Sequence, residues 1–149
     1  MTFTINSGAL PAGTTLSSAG VLSGTTTTAG TYTYTVTASN GVSPDATSAS
    51  HTIEVTAGEF AAVTVTPAGG TVAAGGTQAF TATGADQYGN TLGDVTSATT
   101  FTITPDGSCS TNTCTATFPG AHTVTATNGA VSGSTELSVI AAALPYVSG

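Results

Sequence analysis

Few side chains in this sequence can do chemistry. Among 149 residues there are two cysteines, two histidines and seven Asp/Glu, with no lysine and no arginine. Cys109 and Cys114 stand five positions apart, and only His122 lies near enough in sequence to join them at a metal. A local disulfide is the reading adopted, which implies an oxidising compartment; two buried free thiols are the alternative. No Ser/Asp constellation surrounds His122, so a hydrogen-bonded structural histidine is expected rather than a catalytic one. Asp86, Asp94 and Asp106 fall in turn-like stretches and could gather round Ca²⁺, which takes six to eight oxygen ligands. Their spacing matches no compact calcium loop, and Asp is an ordinary turn former, so calcium is kept only as the alternative. No catalytic residues, cofactor or other metal are expected, and the scattered carboxylates with no nucleophile–base pair argue against an enzyme.

The missing cations exclude more. Without Lys or Arg no groove can track a phosphate backbone, so nucleic acid is not an expected partner. No Schiff base, nucleotide-phosphate contact or Lys–Asn isopeptide bond can form, and no guanidinium can clamp a carboxylate. Attraction to an anionic membrane fails for the same reason. The net charge of −7 favours solution at neutral pH, and acid should weaken that repulsion. No stretch has the length of a transmembrane helix, so direct membrane insertion is not expected. Residues 1–20 show neither a basic n-region nor an apolar h-region; if exported, the chain is expected to be a mature or excised piece.

The elements that must position these residues are strands. Tyr32, Tyr34, Val36 and Ala38 alternate with Thr31, Thr33, Thr35 and Thr37, and His122, Val124 and Ala126 alternate with Thr123, Thr125 and Thr127. Further strands are predicted at 53–55, 63–65, 80–82, 101–103 and 137–139, and no helical spacing appears. The expected class is all-β. The threonine rows suit solvent-facing strand positions. They show no fixed short repeat of an ice-binding solenoid, and no Asn-x-Ser/Thr sequon is present.

The chain repeats itself. Ala29-Gly30-Thr31-Tyr32-Thr33-Tyr34-Thr35-Val36 resembles Pro119-Gly120-Ala121-His122-Thr123-Val124, and each block runs into an Asn-Gly pair, Asn40-Gly41 and Asn128-Gly129. Asn-Gly suits a tight hairpin. A boundary near Ala57-Gly58 divides the chain into 1–57 and 58–140, with an apolar tail over 141–149. The second unit shows about seven strands and the first only four or five.

Residues 7–55 resemble the Putative Ig domain family of bacterial surface proteins. The matching residues are Ser7-Gly8-Ala9-Leu10-Pro11-Ala12-Gly13, Leu16-Ser17, Gly20-Val21-Leu22-Ser23-Gly24-Thr25 and the block from Ala29 to Val36. Residues 61–139 are similar to a second bacterial Ig-like surface repeat, through Asp86-Gln87-Tyr88-Gly89-Asn90, Gly93-Asp94-Val95-Thr96, Pro105 to Cys109, Cys114 to Thr117 and Gly120 to Thr125. The resemblance implies two tandem Ig-like β-sandwiches. The family usually places a strand or two before its Leu-Pro motif, so the first unit is expected to lack its leading strand. Tyr32 and His122 occupy equivalent places and resemble a tyrosine corner, where a side chain bonds backbone across a loop.

An unfinished first unit and an apolar tail suggest each other. Ile140, Ala142, Leu144, Tyr146 and Val147 are the candidate residues of a strand donated to another copy. Head-to-tail contacts of this kind propagate into a filament unless they close. The alternative is that the tail opens the next repeat of a tandem array. The expected function is therefore a non-enzymatic, extracellular or cell-surface structural protein (spacer, stalk or filament subunit) whose partner is itself. A second reading is an adhesion or carbohydrate-binding module excised from a larger tandem-repeat surface protein. Its loops would recognise a glycan or host surface protein, with Tyr88, flanked by Gln87 and Asn90, the one clear loop aromatic.

Overall fold

A computed structural model of the chain describes residues 1–145. It divides into two compact units, Met1–Gly58 and the remainder from Glu59. Both are built from strands, as the β-branched alternation requires; the described residues contain one 3₁₀ turn, Thr96–Ala98, and no longer helix.

In the first unit the strands are β1 (Thr2–Gly8), β2 (Thr14–Leu16), β3 (Leu22–Gly24), β4 (Gly30–Ser39), β5 (Ala46–Thr47) and β6 (His51–Val55). The long Thr/aromatic strand β4 is the spine. β1 lies antiparallel along one edge, from Thr2 opposite Ser39 to Gly8 opposite Tyr34, with a register shift between Ile5 and Ser7. The other edge is shared by β6, with Tyr34 opposite His51, and by β5, with Ala38 opposite Ala46. β2 and β3 pair with each other, and the N–H of Phe3 ties this hairpin to β1 through the carbonyl of Ser18 at 3.0 Å.

Two expectations need correction here. The first unit was expected to lack a leading strand, yet β1 stands ahead of the Leu10-Pro11 motif. Its signal is short, because only Phe3 and Ile5 alternate with polar neighbours before the bulge. Asn40-Gly41 does not make a two-residue hairpin either. The carboxamide oxygen of Asn40 accepts the N–H of Val42, and the chain runs on to β5 through a six-residue connection, 40–45. Asn128, by contrast, pairs directly with Val131 across a two-residue turn, where Gly129 takes a φ of 60°.

The second unit contains β7 (Ala62–Thr66), β8 (Thr71–Ala73), β9 (Thr77–Ala79), β10 (Thr81–Ala85), β11 (Thr91–Asp94), β12 (Thr100–Thr104), β13 (Ser108–Ser110), β14 (Thr113–Thr115), β15 (Gly120–Asn128) and β16 (Val131–Ile140). One sheet has the order β12-β15-β16-β8, with β8 parallel to β16; two three-stranded sheets run β11-β10-β7 and β13-β14-β9. Expected strand 80–82 is broken at Phe80, where the chain leaves the sheet of β9 and enters that of β10. Phe80 itself is fully buried.

The period-two pattern places Val63, Val65, Ala82, Phe101, Ile103, Val124, Ala126, Leu137 and Val139 on inward faces, and these join Phe80, Cys114 and Ala116 in one core. Every buried hydrophobic residue of that core belongs to the second unit. In the first unit Pro11 alone is fully buried among the described residues.

Candidate functional site

The inner face of β4 explains that contrast. Its alternation points Tyr34, Val36 and Ala38 to one side of the sheet, where Phe3 of β1 and Ala46 of β5 extend the apolar surface. A second layer should cover this face, but the β2–β3 hairpin reaches over only part of it, through Leu16 and Leu22. What remains is an open cleft of about 520 Å³, lined also by Ala19, Gly20, Thr47, Ser48 and His51. The imidazole of His51 sits against Tyr34 with ring centroids 5.6 Å apart, and no carboxylate lines the cleft. Leu22 on the hairpin is 41% exposed, whereas Leu137 in the second unit is 0% exposed. Full burial of a leucine is worth roughly 1.5–3 kcal/mol, so the first unit leaves apolar surface uncovered that the second does not.

The candidate donor residues divide. Ile140 is the last residue of β16, in register with Ala73, and its carbonyl accepts the N–H of Ala74 at 2.8 Å. It is committed to its own sheet, which corrects its place in the tail. Ala142 and Leu144 belong to an exposed stretch, 141–145, outside any strand, and Leu144 is 90% exposed. Tyr146 and Val147 lie outside the described residues.

His122 and Asp106 come together although sixteen positions separate them. His122 is 2% exposed on β15, where the alternation turns it inward. Its Nε2 lies 2.5 Å from Oδ1 of Asp106 and its Nδ1 lies 3.2 Å from the carbonyl of Gly120. Oδ2 of Asp106 accepts the N–H groups of Thr117 and Phe118, so the pair fastens the turn before β13 to the entry of β15. The carboxylate bond raises the pKa of His122 above the ordinary imidazole value, against the effect of burial. The same bond lowers the pKa of Asp106, helped by the two backbone donors. Tyr32, the equivalent residue of the first unit, donates its hydroxyl to the carbonyl of Thr28 at 3.1 Å.

The three aspartates considered for calcium do not converge, and no cluster of three His, Cys, Asp or Glu side chains suited to a metal occurs among the described residues. Each serves a turn. Oδ1 of Asp86 accepts the N–H groups of Tyr88 and Asn90, and Oδ1 of Asp94 accepts that of Thr96; the Thr96 hydroxyl first, and then this N–H, lower the pKa of Asp94. Cys109 and Cys114 form a disulfide between directly opposed positions of β13 and β14. The tip of that hairpin is anchored by Asn112, whose carboxamide donates to the carbonyl of Phe80 and whose own carbonyl accepts the Phe80 N–H. A polar cleft of about 590 Å³ lies beside this tip, lined by Asp94, Thr96, Ser97, Thr99, Thr111 and Asn112.

The sequence reading missed the cleft and the Asp106 partner of His122. The signal for the cleft was present as the strand deficit of the first unit; nothing local marked Asp106.

Residues 1–56 match the family described as Putative Ig domain; the match ends within the first unit and leaves the second outside it. No curated protein matches the sequence. Among solved structures the chain is similar to domains 4 and 5 of the S-layer protein SbsC, at 22% identity over 94% of this chain and 70% of that one, with a TM-score of 0.43. It is also similar to a longer SbsC structure at 21% identity, covering 96% of this chain and 20% of that one, with a TM-score of 0.40. A third similarity is to an endo-fucoidan hydrolase of glycoside hydrolase family 107, at 21% identity over 95% of this chain and 24% of that one, with a TM-score of 0.35. The chain thus spans a quarter or less of the last two, and scores of this size carry neither activity nor assembly across.

Proposed function

We propose that the chain is a non-enzymatic, extracellular structural module: two Ig-like β-sandwiches in tandem, forming one subunit of a surface filament or stalk. Copies join head to tail by strand complementation. The observation that carries this reading is the uncovered inner face of β4, in contrast to the closed core of the second unit. An apolar sheet face left open in water is stabilised when apolar side chains cover it, and a strand added to a free neighbouring edge can supply them. The disulfide is in keeping with an oxidising compartment.

Negative-stain electron microscopy beside light scattering, across a concentration series, tests it. Regular fibres growing with concentration are expected. A chain that stays monomeric throughout would set the filament reading aside. It would turn attention to the second reading, an adhesion or carbohydrate-binding module. That reading is favoured by the polar cleft beside Asp94 and Asn112 and by the exposed ring of Tyr88. A glycan array probed with the monomer is then the deciding measurement.

A further inference from the structure

We propose that the apolar cleft of the first unit receives residues 141–145 of a second copy, laid along the free edge of β3 with Ala142 and Leu144 turned inward. This rests on the head-to-tail reading above and assigns its two contacting surfaces.

The acceptor is defined by what the second layer lacks. β3 pairs with β2 on one side, and no strand pairs with its other edge among the described residues. A strand added there would lie over Tyr34, Val36 and Ala38 and close the cleft against Ala46. Its hydrogen bonds would go to β3 and its side chains to the apolar face, the two requirements of strand addition.

Several features suit the segment to that place. Ala141-Ala142-Ala143-Leu144-Pro145 carries no charge and no polar side chain, so nothing in it must be desolvated against an apolar wall. Five extended residues span about 16 Å, enough to pass the three residues of β3. In its own chain the segment is exposed and outside any strand. The acidic groups of this −7 chain would meet a poor site here, since the cleft's one ionisable group besides the Tyr34 phenol is the His51 imidazole.

Pro145 fixes the register. Along a strand, successive residues alternate both the face of the side chain and the edge to which N–H and C=O point. Pro145 has no N–H and therefore belongs on the edge without a partner. That puts the backbone of Ala142 and Leu144 toward β3 and their side chains together on one face, which is the cleft side in one of the two strand directions, the one proposed. The same proline removes one of the three outward N–H groups of the donated strand, those of Ala141 and Ala143 remaining, and so weakens that edge as a template for a further strand.

The test uses two variants of the 149-residue chain. Leu144→Asp spoils the donor and leaves the cleft; Leu22→Asp spoils the cleft and leaves the donor. Each alone should fail to polymerise. Mixed in equal amounts they should form a 1:1 dimer and stop, giving twice the 14.2 kDa subunit mass by sedimentation. A dimer also shows that both variants are folded; should Leu22→Asp lose its circular dichroism, Ala46→Asp on the opposite wall takes its place. Polymers that persist in either variant would overturn this placement while leaving head-to-tail assembly standing. A mixture that stays monomeric would overturn it as well, and a wild-type chain that never polymerises would remove the reading beneath it.

Discussion

Nε2 of His122 lies 2.5 Å from Oδ1 of Asp106 while the opposite ring nitrogen faces the carbonyl of Gly120. Both partners only accept hydrogen bonds, so the ring is matched at both ends only when it is doubly protonated. In a chain without Lys or Arg, this ring is the one side chain of the second unit that can carry a positive charge.

The consequence for pH has two limbs. The pKa of His122 is raised by its bond to Asp106, so its contribution is complete below the ordinary imidazole value near 6.5 and is lost as pH rises through the higher folded value. The pKa of Asp106 is lowered by the same bond, so its contribution is present above the ordinary carboxylate value near 3.8 and is lost as pH falls through the lower folded value. Both contribute fully between about pH 4 and 6.5. The urea midpoint of the second unit, followed by circular dichroism, should be highest in that window. Asp106→Asn should flatten both limbs, whereas Asp94→Asn, whose carboxylate is lowered by Thr96, should change the acid limb alone.

Reduction of Cys109–Cys114 should destabilise the second unit modestly. The bridge closes a loop with a sequence separation of five, and restraint of so short a loop in the unfolded chain is worth about 2 kcal/mol. Thermal unfolding with and without reductant measures this. A loss well above 4 kcal/mol would mean that the bridge also organises Cys114 in the core, where it is fully buried.

Two leucines should behave oppositely. Leu137→Ala removes a fully buried side chain of β16 and should cost 2–5 kcal/mol in denaturant unfolding. Leu22→Ala, at the mouth of the cleft, should cost under about 1 kcal/mol in the monomer. If the two costs are equal, the first unit is better closed than its exposed side chains indicate.

Gly133→Ala should be among the more damaging small substitutions. A Cβ at Gly133 in β16 would meet the backbone carbonyl and side chain of Val63, so two strands must part to admit one methyl. Overpacking of this kind costs about 1–3 kcal/mol, and the midpoint of thermal unfolding should fall accordingly.

Tyr32→Phe removes the hydroxyl that donates to Thr28 and should cost about 1 kcal/mol in the first unit. Its effect on assembly should be small, because Tyr32 does not line the cleft.

The sequence by itself determined the class and much of the core. Alternating Thr with Tyr, Val or Ala cannot sit still as a helix, and the inward residues of β4, β15 and β16 follow from that period alone. It also determined the exclusions, since a chain with no Lys or Arg cannot line a groove with permanent cations in any fold. Strands of two to four residues, such as β5, β8 and β11, escaped because a period of two needs more residues than they have to declare itself. Only the tertiary structure decided that Asp106 meets His122, that the chain changes sheets at Phe80, and that the inner face of β4 stays open. Local pattern says which way a side chain points; what lies opposite it is set by strands distant in sequence, and there the pattern has no reach.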